Sequence, residues 1–191
     1  MSAEYRGMGV AFQFPENWEL EQEPSMGHGR GVTVSAPSGG FWSLAVYPRE
    51  TDSARLVEGT IGVFRQEYEE VETEPVTETV EGWTLTGADV DFFCLDLIVH
   101  VKIRTLVNND SIYVILTQGE GRELQICGAV FDAITVTLLR SLRDLRADWG
   151  EVFSGGNGKV GPENTARQFH ETPLDAPLPE EINSADWAEM E

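Results

Sequence analysis

Lysine, cysteine and histidine are scarce in this sequence, and each shortage closes off a class of function. Only Lys102 and Lys159 are lysines among 13 cations, set against 33 acidic residues, for a formal net charge of −20. A surface this negative repels phosphate backbones and anionic headgroups, so neither nucleic acid nor an anionic membrane is expected as a partner. The charge favours solubility first and steering of a basic partner second. The two cysteines, Cys94 and Cys127, are too few for a disulfide framework. Each lies in an apolar stretch and reads as a small buried hydrophobe, with a single bridge between them left open. The three histidines, His28, His100 and His170, share no ligand spacing, so no metal or other cofactor is expected. Uninterrupted apolar runs fall short of the roughly 18 residues that a spanning helix needs, so membrane insertion is not expected. The opening stretch MSAEYRGMGV has neither a cation cluster nor an apolar core of the secretory kind. A cytoplasmic, reducing location is therefore the expectation.

Catalytic motifs are equally thin. No Gly-x-Ser-x-Gly occurs. The loop Met26-Gly27-His28-Gly29-Arg30-Gly31 lacks the spacing and the Lys-Ser/Thr of a phosphate loop and reads as a turn. Cys94, among Phe92, Phe93 and Leu95, reads as buried and inert. The acidic run from Glu67 to Glu74 is expected on a helix, where its carboxylates scatter around the axis as a solvated face. These readings favour a protein that is not an enzyme.

What the sequence does hold is periodicity. Val10, Phe12 and Phe14 alternate, as do Trp18 and Leu20, Val32 and Val34, and the residues from Phe41 to Tyr47. Turn signals separate them, giving four short strands in a meander pattern. Thr51-Asp52-Ser53 supplies N-cap oxygens for a helix whose stripe is Val57, Ile61, Phe64, Tyr68 and Val71, ended by Glu74-Pro75. Gly59 and Gly62 within it are read as points of close approach to a sheet. Four more strands follow, over Val76–Val80, Trp83–Phe93, Leu97–Val107 and Ser111–Gln118, the last two joined by a tight turn at Asn108-Asn109-Asp110. A closing helix over about Ala129–Arg146 presents Phe131, Ile134, Leu138, Leu142 and Leu145 on one stripe. Trp18, Trp42 and Trp83 are expected in strands and in the core. The order of strands, helix, strands, helix, with hairpin-length links, argues for an α+β fold with an antiparallel β-sheet flanked by two main α-helices. Residues 147–191 differ: ten acids, four prolines and only Lys159 and Arg167 as cations. The chain therefore divides into a domain at 1–146 and an acidic, Gly/Pro-containing tail at 147–191.

The body resembles the PsbP-like superfamily. The resemblance rests on Phe14-Pro15-Glu16-Asn17-Trp18 after the opening strand and on the strand ending in Tyr47-Pro48. The amphipathic helix, the Thr105–Gln118 hairpin and the close at Phe131-Asp132-Ala133-Ile134…Ser141-Leu142 complete it. It covers roughly residues 5–146 and implies an antiparallel sheet flanked by helices. It also implies a protein-binding role, since the superfamily holds a photosystem II subunit, a Ran-binding import factor, envelope lipoproteins and effector chaperones, none an established enzyme. The acidic tail stands outside the family pattern.

A protein-binding module with an unidentified protein partner is the leading expectation. His100, Lys102 and Arg104 share one strand face, and Trp187 lies in a short amphipathic stretch of the acidic tail; these four are the candidate partner-binding residues. Two alternatives stand beside it. One is an assembly factor or effector chaperone that shields an apolar partner segment. The other is a small-molecule-binding protein or enzyme with a cleft near Asp89, Asp91 and His100, for which convergence of Cys94, His100 and a carboxylate would be the deciding sign.

Overall fold

The computed structural model describes residues 1–23, 30–108 and 110–154. The expectations for His28, His170, Trp187 and the tail beyond Ser154 lie outside them. Among the described residues, nine strands and two helices follow in the order β1 (Ser2–Gly7), β2 (Val10–Pro15), β3 (Glu19–Glu23), β4 (Arg30–Ser35), β5 (Phe41–Pro48), α1 (Ser53–Glu67), β6 (Val71–Val80), β7 (Trp83–Cys94), β8 (Leu97–Val107), β9 (Ser111–Glu120) and α2 (Gly121–Ser154). The fold is α+β, and every strand pairing is antiparallel. β1 and β2 form a separate hairpin; the other seven strands form one sheet in the order β3-β4-β5-β9-β8-β7-β6.

Strand alternation sorts the side chains of this sheet onto two faces. One face packs against α2. Trp42, Leu44 and Ile115 meet Phe131, Ile134 and Leu138 there, all at most 3% exposed. Phe12 of the β1–β2 hairpin closes the same core against Trp42, with ring centroids 4.9 Å apart. β2 has no partner on its outer edge, so its amides need other acceptors. Ser141 and Thr137 of α2 supply them: Ala11 N donates to Ser141 Oγ at 3.3 Å and Gln13 N to Thr137 Oγ1 at 3.0 Å. The other face packs against α1 in a smaller core of Ile61, Val90, Phe92, Val101 and Ile103.

Several expectations are corrected here. β1 was not anticipated, because Tyr5 is the only large apolar residue in Ser2–Gly7. Trp18 lies in the turn between β2 and β3, not in a strand, with its ring edge-on to Phe131 at 5.4 Å. Trp42 is fully buried and donates to Thr135 Oγ1 at 2.9 Å; Trp83, half-buried, donates to Leu139 O at 3.1 Å. α1 is capped by Asp52, whose Oδ1 accepts from Ala54 N at 2.9 Å, but it ends at Glu67 rather than at Glu74-Pro75. Val71 already belongs to β6. Pro75 is tolerated there because β6 is an edge strand, where a missing N–H costs little. Gly59 and Gly62 approach nothing: a Cβ at either would meet open space. α2 begins at Gly121, well before Ala129, and runs past Arg146 to Ser154. Its start is fixed by Glu123, whose carboxylate accepts from Glu120 N at 2.9 Å as half of a capping box. Residues Gly121–Arg143 are long and apolar enough to cross a membrane by length and composition. The apolar stripe responsible, from Cys127 to Leu142, is the one buried in the larger core.

Candidate functional site

The acidic run that was expected on a helix lies partly on a strand. β6 alternation puts Glu72 and Glu74 on one face, and register sets them beside Asp91 and Asp89 of β7. Asp91 and Asp89 in turn sit beside His100 and Lys102 of β8. This is the α2-facing side of the sheet, at the strands that α2 leaves uncovered. The six side chains line a hollow of about 350 Å³, with Leu124 of α2 at its rim. His100 Nδ1 lies 2.6 Å from Asp91 Oδ1, and both side chains remain more than a third exposed.

Arg104, the third member of the expected cationic trio, has a different fate. Only 7% of it is exposed. Its Nε donates to Glu78 Oε1 at 2.6 Å, and Nη1 donates to the carbonyls of Ala88 and Ile103 at 3.2 and 3.1 Å. Nη2 stands 2.7 Å from Asp89 Oδ1, an ion pair by distance that lies off the line of a hydrogen bond. β7 has Gly87 opposite Arg104, and a Cβ at Gly87 would strike Ile103 O of the neighbouring strand, so the glycine lets the two backbones close up there. Arg104 therefore ties β6, β7 and β8 together from within. Lys102, exposed, and His100, half-exposed, stay on the surface.

The chemistry this arrangement supports is limited. A His–Asp pair at 2.6 Å can hold a proton, but it needs a nucleophile within reach to act as a base relay. Cys94 is not that group. It pairs with Leu97, and strand alternation puts it on the α1 side of the sheet, opposite His100. Cys127, the other thiol, is buried under α2, donates to Glu123 O at 3.0 Å, and is pushed above the ordinary thiol range by burial. Both thiols are free. No three His, Cys, Asp or Glu side chains among the described residues converge closely enough to hold a metal.

The end of the β7–β8 hairpin is what sequence reading missed. Phe93 and Ile98 form a cross-strand pair on the α2-facing side, and both are about half exposed, at 56% and 46%. Leu97, on the other face, is 51% exposed, and Leu95 at the apex is 91% exposed. Leu95 and Asp96 form the two-residue loop with φ of 50° and 64°, the left-handed pair of a type I′ turn. The β1–β2 and β6–β7 turns have the same backbone but place glycine second, in Met8-Gly9 and Glu81-Gly82. The β7–β8 turn has Asp96 where those two have glycine; Leu95, like Met8 and Glu81 in first position, is a left-handed non-glycine residue, at a cost of about 1–2 kcal/mol. Below the apex the hairpin is firmly held. Phe92 stacks with Tyr68 at 4.0 Å and Phe64 at 5.2 Å, the cap and the last turn of α1. The Tyr68 phenol is raised above its ordinary range by desolvation, with Cys94 and Glu67 adding to it. The signal in the sequence is the gap between two strong strand patterns at Cys94-Leu95-Asp96.

A solved structure superposes on this fold. Cyanobacterial PsbP (CyanoP) from Synechocystis sp. PCC 6803 superposes with a TM-score of 0.51 over 71% of this chain and 90% of that one, at 9% identity. The fold is PsbP-like. The likeness at this identity is one of fold alone. Two further chains align more loosely. PA94 from Pseudomonas aeruginosa, a putative regulator of unknown function, covers 86% of this chain and 99% of its own at a TM-score of 0.37 and 9% identity. LpqN, involved in cell envelope biogenesis of Mycobacterium tuberculosis, covers 72% and 87% at 0.36 and 12% identity. No family model and no curated protein sequence matches the chain. Within this PsbP-like frame the charged hollow and the bare hairpin end are neighbours, both built on β7 and β8.

Proposed function

We propose that this chain is a protein-binding module rather than an enzyme, and that it docks through the β7–β8 end of its sheet. The observation that carries the reading is Leu95: a large apolar side chain, almost fully exposed, held in a backbone conformation that disfavours it. Such an arrangement reduces stability and gives the folded domain no packing in return, which fits selection for contact with something else. His100 and Lys102 flank the same end and join the proposed contact surface; Arg104 supports it from beneath. Trp187, in the acidic tail, enters the proposal on its sequence alone. A reducing, cytoplasmic setting suits two free thiols on opposite sides of the sheet.

A photo-cross-linking residue at position 95 of the full chain, expressed in its own host cells, tests this reading. A discrete protein adduct is expected at 95 and none at Thr79, an exposed position on edge strand β6. Equal adducts at both positions, or none at 95, would overturn it. The second reading, a small-molecule site at Asp89, Asp91 and His100, is favoured by the 2.6 Å Asp91–His100 contact inside the 350 Å³ hollow. Its mark would be saturable chemical-shift changes of His100 on titration with small cationic metabolites.

A further inference from the structure

The exposed hairpin end is embedded in negative charge, and that charge limits what can cover it. Asp96 sits at the apex and Asp91 one step below Phe93. Glu69 and Glu70 immediately precede Val71, which pairs with Phe92, and Glu72 pairs with Asp91. On the other side Glu120 closes β9 opposite Val99. These six carboxylates lie at the same end of the sheet as Phe93, Leu95, Leu97 and Ile98. The cations near it are Arg122, at the start of α2, Lys102, exposed on β8, and, when protonated, His100, which is already engaged with Asp91.

Three kinds of occupant can be weighed against this surface. A lipid bilayer would accept the apolar apex, but anionic headgroups would meet the carboxylate ring. A second copy of the chain would bring an identical ring, on a molecule whose net charge is already −20. A basic amphipathic segment satisfies both features, because its apolar side covers the wedge while its Lys and Arg side chains reach the carboxylates. We infer that the β7–β8 hairpin end is a docking wedge for a basic amphipathic segment of a partner protein. The inference rests on the protein-binding reading above and adds the chemistry of the partner. The wedge enters as a preformed shape: Phe92, Tyr68 and Phe64 fix its base, and the turn leaves Leu95 no packing to lose on binding. Little ordering is then required at the moment of contact.

The test uses the full chain and a fluorescent 18-residue amphipathic helix made only of leucine and lysine, with a leucine–glutamate twin as control. Leu95→Asn keeps the net charge and suits the left-handed turn, so the fold is retained while the apex loses its apolar side chain. The parent is expected to bind the lysine peptide in a salt-dependent way and the glutamate twin at least tenfold more weakly. Leu95→Asn is expected to weaken lysine-peptide binding about tenfold with no fall in Tm, and Phe93→Thr provides a second variant on the strand itself. Unchanged binding in both variants would overturn the wedge, because charge alone would then account for the affinity. Preference for the glutamate twin, partition onto anionic vesicles, or self-association lost in Leu95→Asn would overturn the choice of partner. These failures differ from failure of the binding-module reading, which is the absence of any position-95 adduct in cells. An adduct whose partner peptide carries no basic residues would sink the present inference and leave that reading standing.

Discussion

The two faces of the seven-stranded sheet are stabilised in unequal ways. The α2 face holds Trp42, Phe12, Phe131 and Leu138 in a continuous apolar core and adds hydroxyl contacts to β2. The α1 face is held by a helix with a single buried residue, Ile61, and by aromatic stacking on Phe92. The difference separates stability from display. The larger core lies on the α2 face, but α2 leaves the β7–β8 end uncovered, and that end projects with its base held from the α1 face by Tyr68 and Phe64. Large-to-small substitution should sharpen this comparison. Phe131→Ala is expected to cost about 4 kcal/mol, measured by chemical denaturation, because it empties the centre of the larger core. A loss under half that size would mean the α2 face is not the principal stabiliser.

The next effect in size tests the polar tie that Arg104 makes across β6, β7 and β8. Arg104→Met should cost about 2–3 kcal/mol, since Asp89 Oδ1 would be left buried without its counter-charge. Adding Asp89→Leu should recover part of that loss. If the double variant is no better than the single, the guanidinium acts through its bonds to Ala88 O and Ile103 O instead. Ile61→Ala on the α1 face should cost about 2 kcal/mol and leave Tm sensitivity at the α2 face untouched.

The smallest effect concerns the β6–β7 turn. Glu81 accepts from Arg140 at 2.9 Å, with Arg143 at 3.8 Å, and this pairing holds its carboxyl below the usual range. A lowered folded-state pKa adds stability above the unfolded value, and that stability disappears as pH falls through the folded value. The Tm gap between the parent and Glu81→Gln should therefore be small at neutral pH and vanish in acid. A gap that widens in acid would reverse the assignment.

Much of the fold was legible because alternation and helical stripes report burial directly. The faces of β7 and β8, the cap at Asp52 and the stripe from Val57 to Tyr68 all followed from spacing. The boundaries that moved did so for local reasons. Pro75 reads as a helix stop, yet an edge position admits it in a strand, and the closing helix, expected from about Ala129, starts at Gly121, where Glu123 caps it. The site was less legible. Alternation placed His100, Lys102 and Arg104 on one face, but what lies across that face is a matter of tertiary packing. Gly87, opposite Arg104, lets the backbones of β7 and β8 close up beside it, and nothing in Arg104's own neighbourhood of sequence signals that. Cys94 and its neighbours looked buried because they are apolar; in fact Leu95 is the most exposed of them. An apolar residue in a turn is hidden from periodicity, since its conformation and not its spacing is unusual.

The two rims of the sheet carry a further consequence. β3 bears Glu19 and Glu21, and β6 bears Glu72, Glu74 and Glu78 together with Pro75. Open backbone ladders ordinarily invite strands from neighbouring molecules, and acidic side chains with an imino acid blunt that invitation. Two molecules brought rim to rim meet like charges on both borders, so crowding should drive this protein toward repulsion and keep it from polymerising into fibres.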